Sequence, residues 1–214
     1  FVTGVQTCAL PILQNVMNTK YGYSPKETLE CVQQLYLSGY VTYPRTSSEY
    51  MATAEIPKAQ EIINALNKEW NCCLELRNEK SIFDDSKVES HSAITPTNKL
   101  PDCEKLDIKL KNTYMEILNR FKAVFYRDDY IIKQTILLIS NGNREFKLNG
   151  NVTVNAGWSI FTSEKKEKQL PHLNIDDVVN VDFKPVQKET TPPKHYTVTS
   201  LNNFMINQIG RAHV

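Results

Sequence analysis

The sequence predicts an α+β protein, with a mostly helical part followed by an antiparallel β part. Two observations carry this. Apolar residues recur at helical spacing over 25–38, 56–70 and 105–125. After Tyr126 the chain becomes rich in β-branched and aromatic residues, interrupted by the tight-turn signal Asn141-Gly142-Asn143.

Taken in order, Leu13-Gln14-Asn15 belongs to a first helix. Ser24-Pro25-Lys26-Glu27 starts the next: Ser24 caps, Pro25 suits the first turn, and Glu27 completes a capping box. Leu29, Val32, Leu35 and Tyr36 form its core stripe, and Gly39 ends it. An extended piece follows over 40–45; a helix leading into such a strand is similar to a winged-helix unit. A third helix places Ile56, Ala59, Ile62, Ile63 and Leu66 on one side, and 78–88 is a polar loop. The long helix over 105–125 buries Leu110, Tyr114, Ile117, Leu118 and Phe121. Strands are expected over 130–139 and 144–148, joined by the Asn-Gly turn, and again over 157–161 and 178–186. The stretch 163–169 is a charged loop whose Lys165, Lys166 and Lys168 are solvated, and a last helix begins after Tyr196 with Thr197 or Thr199 as its cap.

At 214 residues the chain holds one or two domains. No apolar run approaches the ~20 residues of a membrane span. Lys and Arg number 25 against 24 Asp and Glu, a net charge of +1, so overall charge gives no support for a nucleic-acid partner and leaves local clustering to decide. Of the five cysteines none forms a Cys-x-x-Cys pair, which argues against a zinc site and for free thiols in a reducing cytoplasm.

The segment Tyr43-Pro44-Arg45-Thr46 carries the chemistry. Extended side chains alternate faces, so Tyr43 and Arg45 point the same way, and Pro44 between them favours that conformation. A phenol is a possible oxygen nucleophile, and a guanidinium binds phosphate and favours the phenolate. Transesterification at a phosphodiester also needs charge stabilisation and a proton for the leaving group.

This segment resembles the active-site tyrosine motif of type IA DNA topoisomerases, and the Tyr-Pro-Arg form looks like the topoisomerase III branch. Upstream, Gly22-Tyr23-Ser24-Pro25-Lys26-Glu27-Thr28-Leu29 is similar to that family's lead-in helix. Downstream, His91-Ser92-Ala93-Ile94-Thr95-Pro96-Thr97 is similar to its second active-site motif, and Pro192-Pro193-Lys194-His195-Tyr196-Thr197 with Ser200-Leu201 to the return into its DNA-binding base. The resemblance covers about 13–208. It implies Tyr43 as nucleophile, Arg45 and His91 as catalytic partners on the phosphate, and Thr46, Ser47, Lys194, His195, Thr197 and Ser200 as DNA contacts. For Thr197 and Ser200 the residues alone slightly favour plain helix caps over phosphate contacts, while His172 and His213 carry no such pattern. The reaction implied is ATP-independent cutting of one DNA strand through a 5′-phosphotyrosyl link, strand passage and resealing. Mg²⁺ is implied for the whole enzyme, on carboxylates of a preceding domain that this chain does not replace; no metal ligand is assigned within it.

The domains implied are a tyrosine domain over 13–128, a β arch segment over 129–192 and the start of a DNA-binding helical domain over 193–208. The ends, 1–12 and 209–214, resemble translated sequencing-adapter sequence, which makes the remainder an internal piece of a monomeric, bacterial cytoplasmic protein acting at the nucleoid on single-stranded DNA. Ser47 and Val198 depart from the family pattern, where acidic residues are common. The alternative is a non-catalytic winged-helix DNA-binding module. A tyrosine recombinase is disfavoured, because the tyrosine precedes the histidine and no His-x-x-Arg occurs.

Overall fold

The computed structural model describes residues 7–162, 167–180, 186–193 and 195–205. Five helices and one β hairpin are present among them: α1 Leu10–Tyr21, α2 Pro25–Leu37, α3 Ile56–Trp70, α4 Ile108–Phe125, β1 Ile131–Asn141, β2 Arg144–Asn155 and α5 Val198–Phe204. The mixed α and antiparallel β character matches the expectation.

The helix ends follow local chemistry. The Ser24 hydroxyl accepts from Glu27 N at 3.2 Å, while the Glu27 carboxylate accepts from Ser24 N at 2.9 Å, so the capping box is complete. At the far end of α2, Gly39 takes φ +77°. Its N–H donates to Tyr36 O at 2.8 Å and the Tyr40 N–H to Leu35 O at 2.9 Å, a Schellman closure. This closure redirects the chain out of the helix and into the extended tyrosine segment.

The core gathers one face of each of the first four helices: Leu13 and Met17, Val32 and Leu35, Ile62, Ile63 and Leu66, and Tyr114, Ile117, Leu118 and Phe121, with Val41 and Ile94 from the extended segments. Each fully buried large aliphatic side chain contributes about 1.5–3 kcal/mol. Residues of the adapter-like stretch enter this fold from Thr7 onward: Thr7, Cys8 and Ala9 are buried, and α1 begins at Leu10. All five cysteines are free thiols. Burial pushes the Cys8 thiol up to about 12.

Two features of the core give measurable consequences. The Tyr114 ring is fully buried and its hydroxyl meets no hydrogen-bond partner among the described residues. Burial holds its ionisation well above the ordinary phenol value. An unsatisfied buried hydroxyl costs about 1–3 kcal/mol. Tyr114→Phe keeps the ring's edge contact with Tyr40 and removes that cost, so thermal melting should rise by roughly 2–4 °C per kcal/mol recovered.

The second is Glu27. The Lys109 ammonium, at 2.8 Å, and then the Ser24 backbone and hydroxyl hold the Glu27 carboxyl down at about 2, from an ordinary 4.5. A carboxylate with a depressed folded-state pKa stabilises fully above its unfolded value and loses that contribution as pH falls through the folded one. The urea midpoint of the native chain should therefore exceed that of Glu27→Gln above pH 4.5, and the gap should close toward pH 2.

The β half departs from the expectation in three ways. First, β1 and β2 form a two-stranded antiparallel sheet turning at Gly142-Asn143, and β2 runs on to Asn155 rather than ending near Leu148. Second, 157–161 is a 3-10 turn and not a strand. Gly157 sits at φ +43°, which breaks extended pairing. Trp158 N donates to Asp128 O at 3.1 Å, and the Trp158 and Phe161 rings pack on Tyr130 and Tyr126. The run is thus stapled to the junction of α4 and β1. Third, 178–180 carry no strand, and 181–185 of that expected strand lie outside the described residues. Residues 163–166 of the charged loop and 209–214 also lie outside them.

Candidate active site

The tyrosine segment and the histidine segment, some fifty residues apart in sequence, lie side by side. Thr42 N donates to Thr95 O at 2.9 Å, Thr97 N to Tyr40 O at 3.0 Å and Thr95 N to the Thr42 hydroxyl at 2.9 Å. Val41 and Pro96 pair as an antiparallel bridge. The other edge of the histidine segment is held by Ile94 N donating to Cys8 O at 2.7 Å, and by Ala93 N donating to Tyr50 O at 2.9 Å. Three stretches of chain therefore fix the backbone on which His91 stands.

Along the tyrosine segment burial alternates. Pro44, Thr46 and Ser48 point inward, Arg45 and Ser47 are exposed, and Tyr43 is half-buried. The segment is not regularly extended, however: the chain bends at Pro44, and Thr46 N donates to Pro44 O at 3.1 Å across a tight turn centred on Arg45, so strand alternation does not by itself set Tyr43 and Arg45 on one face. The Tyr43 and His91 rings lie 4.3 Å apart between centroids, tilted by 42°. No hydrogen bond among the described residues engages the Tyr43 hydroxyl. Arg45 likewise has no ion-pair partner among the described residues.

Thr46 acts on this geometry from beneath. Its hydroxyl donates to His91 O at 2.9 Å and accepts from Ser48 N at 3.1 Å, and its own carbonyl accepts from Leu10 N at 3.1 Å. The Thr46 side chain thus ties the tyrosine segment to the histidine backbone. Beside the ring pair a polar cleft of about 240 Å³ opens, lined by Arg45, Ser47, Lys87, Glu89, Ser90 and His91 among others.

Three residues of this neighbourhood were not legible as site residues. Tyr36, read as core, is 37 % exposed and meets the Tyr43 ring edge-on at 5.6 Å between centroids. It stands in the last turn of α2, beyond the buried stripe, where the Schellman closure brings the tyrosine segment back beside it. Lys87 and Tyr50 form a pair at 2.9 Å beside the cleft. The signal available for Lys87 was its place four residues before His91, in a loop read only as polar.

The remaining expected DNA contacts stand apart. His195, Thr197 and Ser200 are exposed at the start of α5, which packs on α1 through the Asn15 amide, donating to Asn203 at 2.8 Å. The Thr197 hydroxyl accepts from Ser200 N at 3.1 Å and so caps the helix. No described hydrogen bond or ring contact joins these residues to Tyr43, Arg45 or His91. Lys194 lies outside the described residues.

With this geometry in hand, comparison with known proteins is decisive at the level of family. The family model described as DNA topoisomerase matches residues 8–212. The chain belongs to the type IA DNA topoisomerases, on the topoisomerase III-like side. It is 29 % identical over 221 residues to DNA topoisomerase 3 of Bacillus cereus, covering 91 % of this chain and 29 % of that protein. It is 32 % identical over 204 residues to DNA topoisomerase 1 of Methanocaldococcus jannaschii, covering 90 % of this chain and 26 % of that protein. In fold it is similar to full-length topoisomerase I from Thermotoga maritima, with TM-score 0.66 at 21 % identity, over 96 % of this chain and 35 % of that one. The chain thus spans about 29 % of the length of the Bacillus relative. No helix among the described residues is long and apolar enough to cross a membrane.

Proposed function

We propose that this chain is the tyrosine-bearing part of an ATP-independent topoisomerase that cuts one DNA strand through Tyr43. The observation that carries the reading is the Tyr43–His91 ring pair, 4.3 Å apart on two hydrogen-bonded segments, with the exposed Arg45 two residues further on. In this reading the helices and paired segments of 13–128 act as a winged-helix-like tyrosine domain. The β hairpin belongs to an arch, and α5 opens a DNA-binding base. His195, Thr197 and Ser200 contact the strand at a distance from the reacting atoms, and Lys194 is a further DNA contact.

The step is a bond-for-bond exchange. The Tyr43 phenolic oxygen loses its proton and forms a bond to phosphorus, and the bond from phosphorus to the 3′ oxygen breaks. That oxygen takes up a proton and leaves as a free 3′ hydroxyl, with the 5′ phosphate held on Tyr43. Arg45 and His91 carry the charge that develops on the phosphoryl oxygens, a contribution of the kind worth 10²–10³-fold per donor. Resealing is the same exchange run backwards. A phosphodiester is consumed and a phosphodiester formed, so no nucleotide hydrolysis is needed.

A magnesium ion is expected of the family, but the residues here do not suit it. No group of three or more His, Cys, Asp or Glu residues stands together among the described residues. We therefore draw no step through a metal, and place the carboxylate ligands in the part of the relatives that this chain does not span. The chain alone should bind single-stranded DNA without completing relaxation cycles.

The test joins the chain to the part of the Bacillus cereus enzyme that it does not cover. The product is incubated with end-labelled single-stranded DNA and Mg²⁺, then denatured. A protein–DNA adduct carrying the 5′ end of the break supports the reading. DNA binding without any adduct sinks it in favour of a non-catalytic binding module.

A further inference from the structure

We infer that Lys87 is a phosphate-positioning residue of the cleft beside Tyr43, holding a backbone phosphate that flanks the one under attack. The inference rests on the reading of Tyr43 as a DNA nucleophile and adds a residue and a role to that site.

Three observations support it. First, Lys87 and Arg45 line the same polar cleft, together with Ser47, Ser90 and a single carboxylate, Glu89. Second, neither cation is in an ion pair with a carboxylate among the described residues, and only Asp84 acts on Lys87 at longer range. Lys20, Lys105, Lys109 and Lys111 each pair with an acid at 2.7–2.9 Å, whereas no ion pair of Lys87 or Arg45 occurs among the described residues. Two cations and one carboxylate line the cleft in a chain that is nearly neutral as a whole, which is the local clustering that phosphate binding needs.

Third, Lys87 is held in place by neutral groups. Its ammonium donates to the Tyr50 hydroxyl at 2.9 Å and lies 4.4 Å from the centre of the Tyr50 ring. Its backbone is pinned on both sides, with Lys87 N donating to Asp84 O at 3.0 Å and Lys87 O accepting from the Ser48 hydroxyl at 3.1 Å. Ser48 is itself on the tyrosine segment, so the position of Lys87 is set by the same backbone that sets Tyr43. Tyr50 also raises the Lys87 ammonium above its ordinary pKa, which keeps it charged. An anchored cation with donors to spare beside Arg45 fits a second phosphate on an extended strand.

The experiment has two arms. In the first, the full chain binds a fluorescent single-stranded oligonucleotide across a salt series. Each phosphate contact contributes about 0.7 to the slope of log K against log salt for single strands. Lys87→Gln should lower that slope by about 0.7 and weaken binding about fivefold at 0.1 M salt, and Lys87→Arg should restore both. In the second arm, the chain joined to the Bacillus part is titrated with DNA. Lys87→Gln should raise the half-saturating DNA concentration by the same factor, and Lys87→Arg should restore it. An unchanged slope in Lys87→Gln, or no binding by the native chain, overturns the role of Lys87. If the slope falls as expected but Tyr43→Phe still forms the adduct, the cleft binds phosphate and it is the reading of Tyr43 that fails.

Discussion

Tyr43→Phe should abolish the covalent DNA adduct while leaving affinity for single-stranded DNA within about twofold. The substitution removes one oxygen and nothing else. Because no described hydrogen bond engages that hydroxyl, its loss should not disturb the Tyr36 and His91 ring contacts that hold the side chain. The exposed Ser47 offers only an aliphatic hydroxyl, weakly nucleophilic unless a base activates it, and so no ready substitute. Pro44, Thr46 and Ser48 point inward, and the Thr46 hydroxyl is already bonded to His91 O and Ser48 N. The expected loss therefore exceeds ~10³-fold, larger than the 10²–10³ typical of removing one charge-stabilising donor. Adduct at native levels in Tyr43→Phe would assign the chemistry elsewhere.

The second large effect is structural. Gly157→Ala should destabilise the chain by about 3 kcal/mol, from the left-handed backbone and from overpacking together. Gly157 sits at φ +43°, and an added Cβ would overlap the carbonyl carbon and oxygen of Asp129 and the nitrogen of Tyr130. These are backbone atoms at the start of the hairpin and cannot swing away. The 3-10 turn carrying Trp158 and Phe161 would have to lift off Tyr130 and Tyr126. For a chain of this size that corresponds to roughly 6–12 °C in melting temperature. Hydrogen exchange should show the lost protection concentrated at 126–131 and 157–162, with α2 and α3 unaffected. A melting temperature within 1 °C of the native value would refute the packing argument.

The contrast between these two positions shows what the sequence makes legible. Ser24, Glu27 and Gly39 act through neighbours a few residues away, so the ends of α2 can be read directly. The alternation of Tyr43 and Arg45 is also local. The pairing of 40–43 with 93–97 is not: it closes a loop of about fifty residues, and only the resemblance of both segments to one family linked them. Gly157-Trp158-Ser159-Ile160-Phe161 was misread because a short apolar run has no period to separate strand from turn. Its state is decided by the Asp128 carbonyl and the Tyr126 and Tyr130 rings, contacts that lie outside any local pattern. Tyr36 was misread for a related reason. Helical spacing placed it with the buried stripe, but the core stops at Leu35, and the final turn turns its aromatic edge to Tyr43.

The central claim is that Tyr43 takes the 5′ phosphate of the cut strand. It is tested most directly by trapping the adduct of the joined protein, digesting protein and DNA, and sequencing the nucleotide-linked peptide by mass spectrometry. The expected result is a single modified peptide spanning Tyr43-Pro44-Arg45, with the nucleotide attached through its 5′ phosphate to the Tyr43 oxygen. Attachment at any other residue, or through a 3′ phosphate, would contradict it.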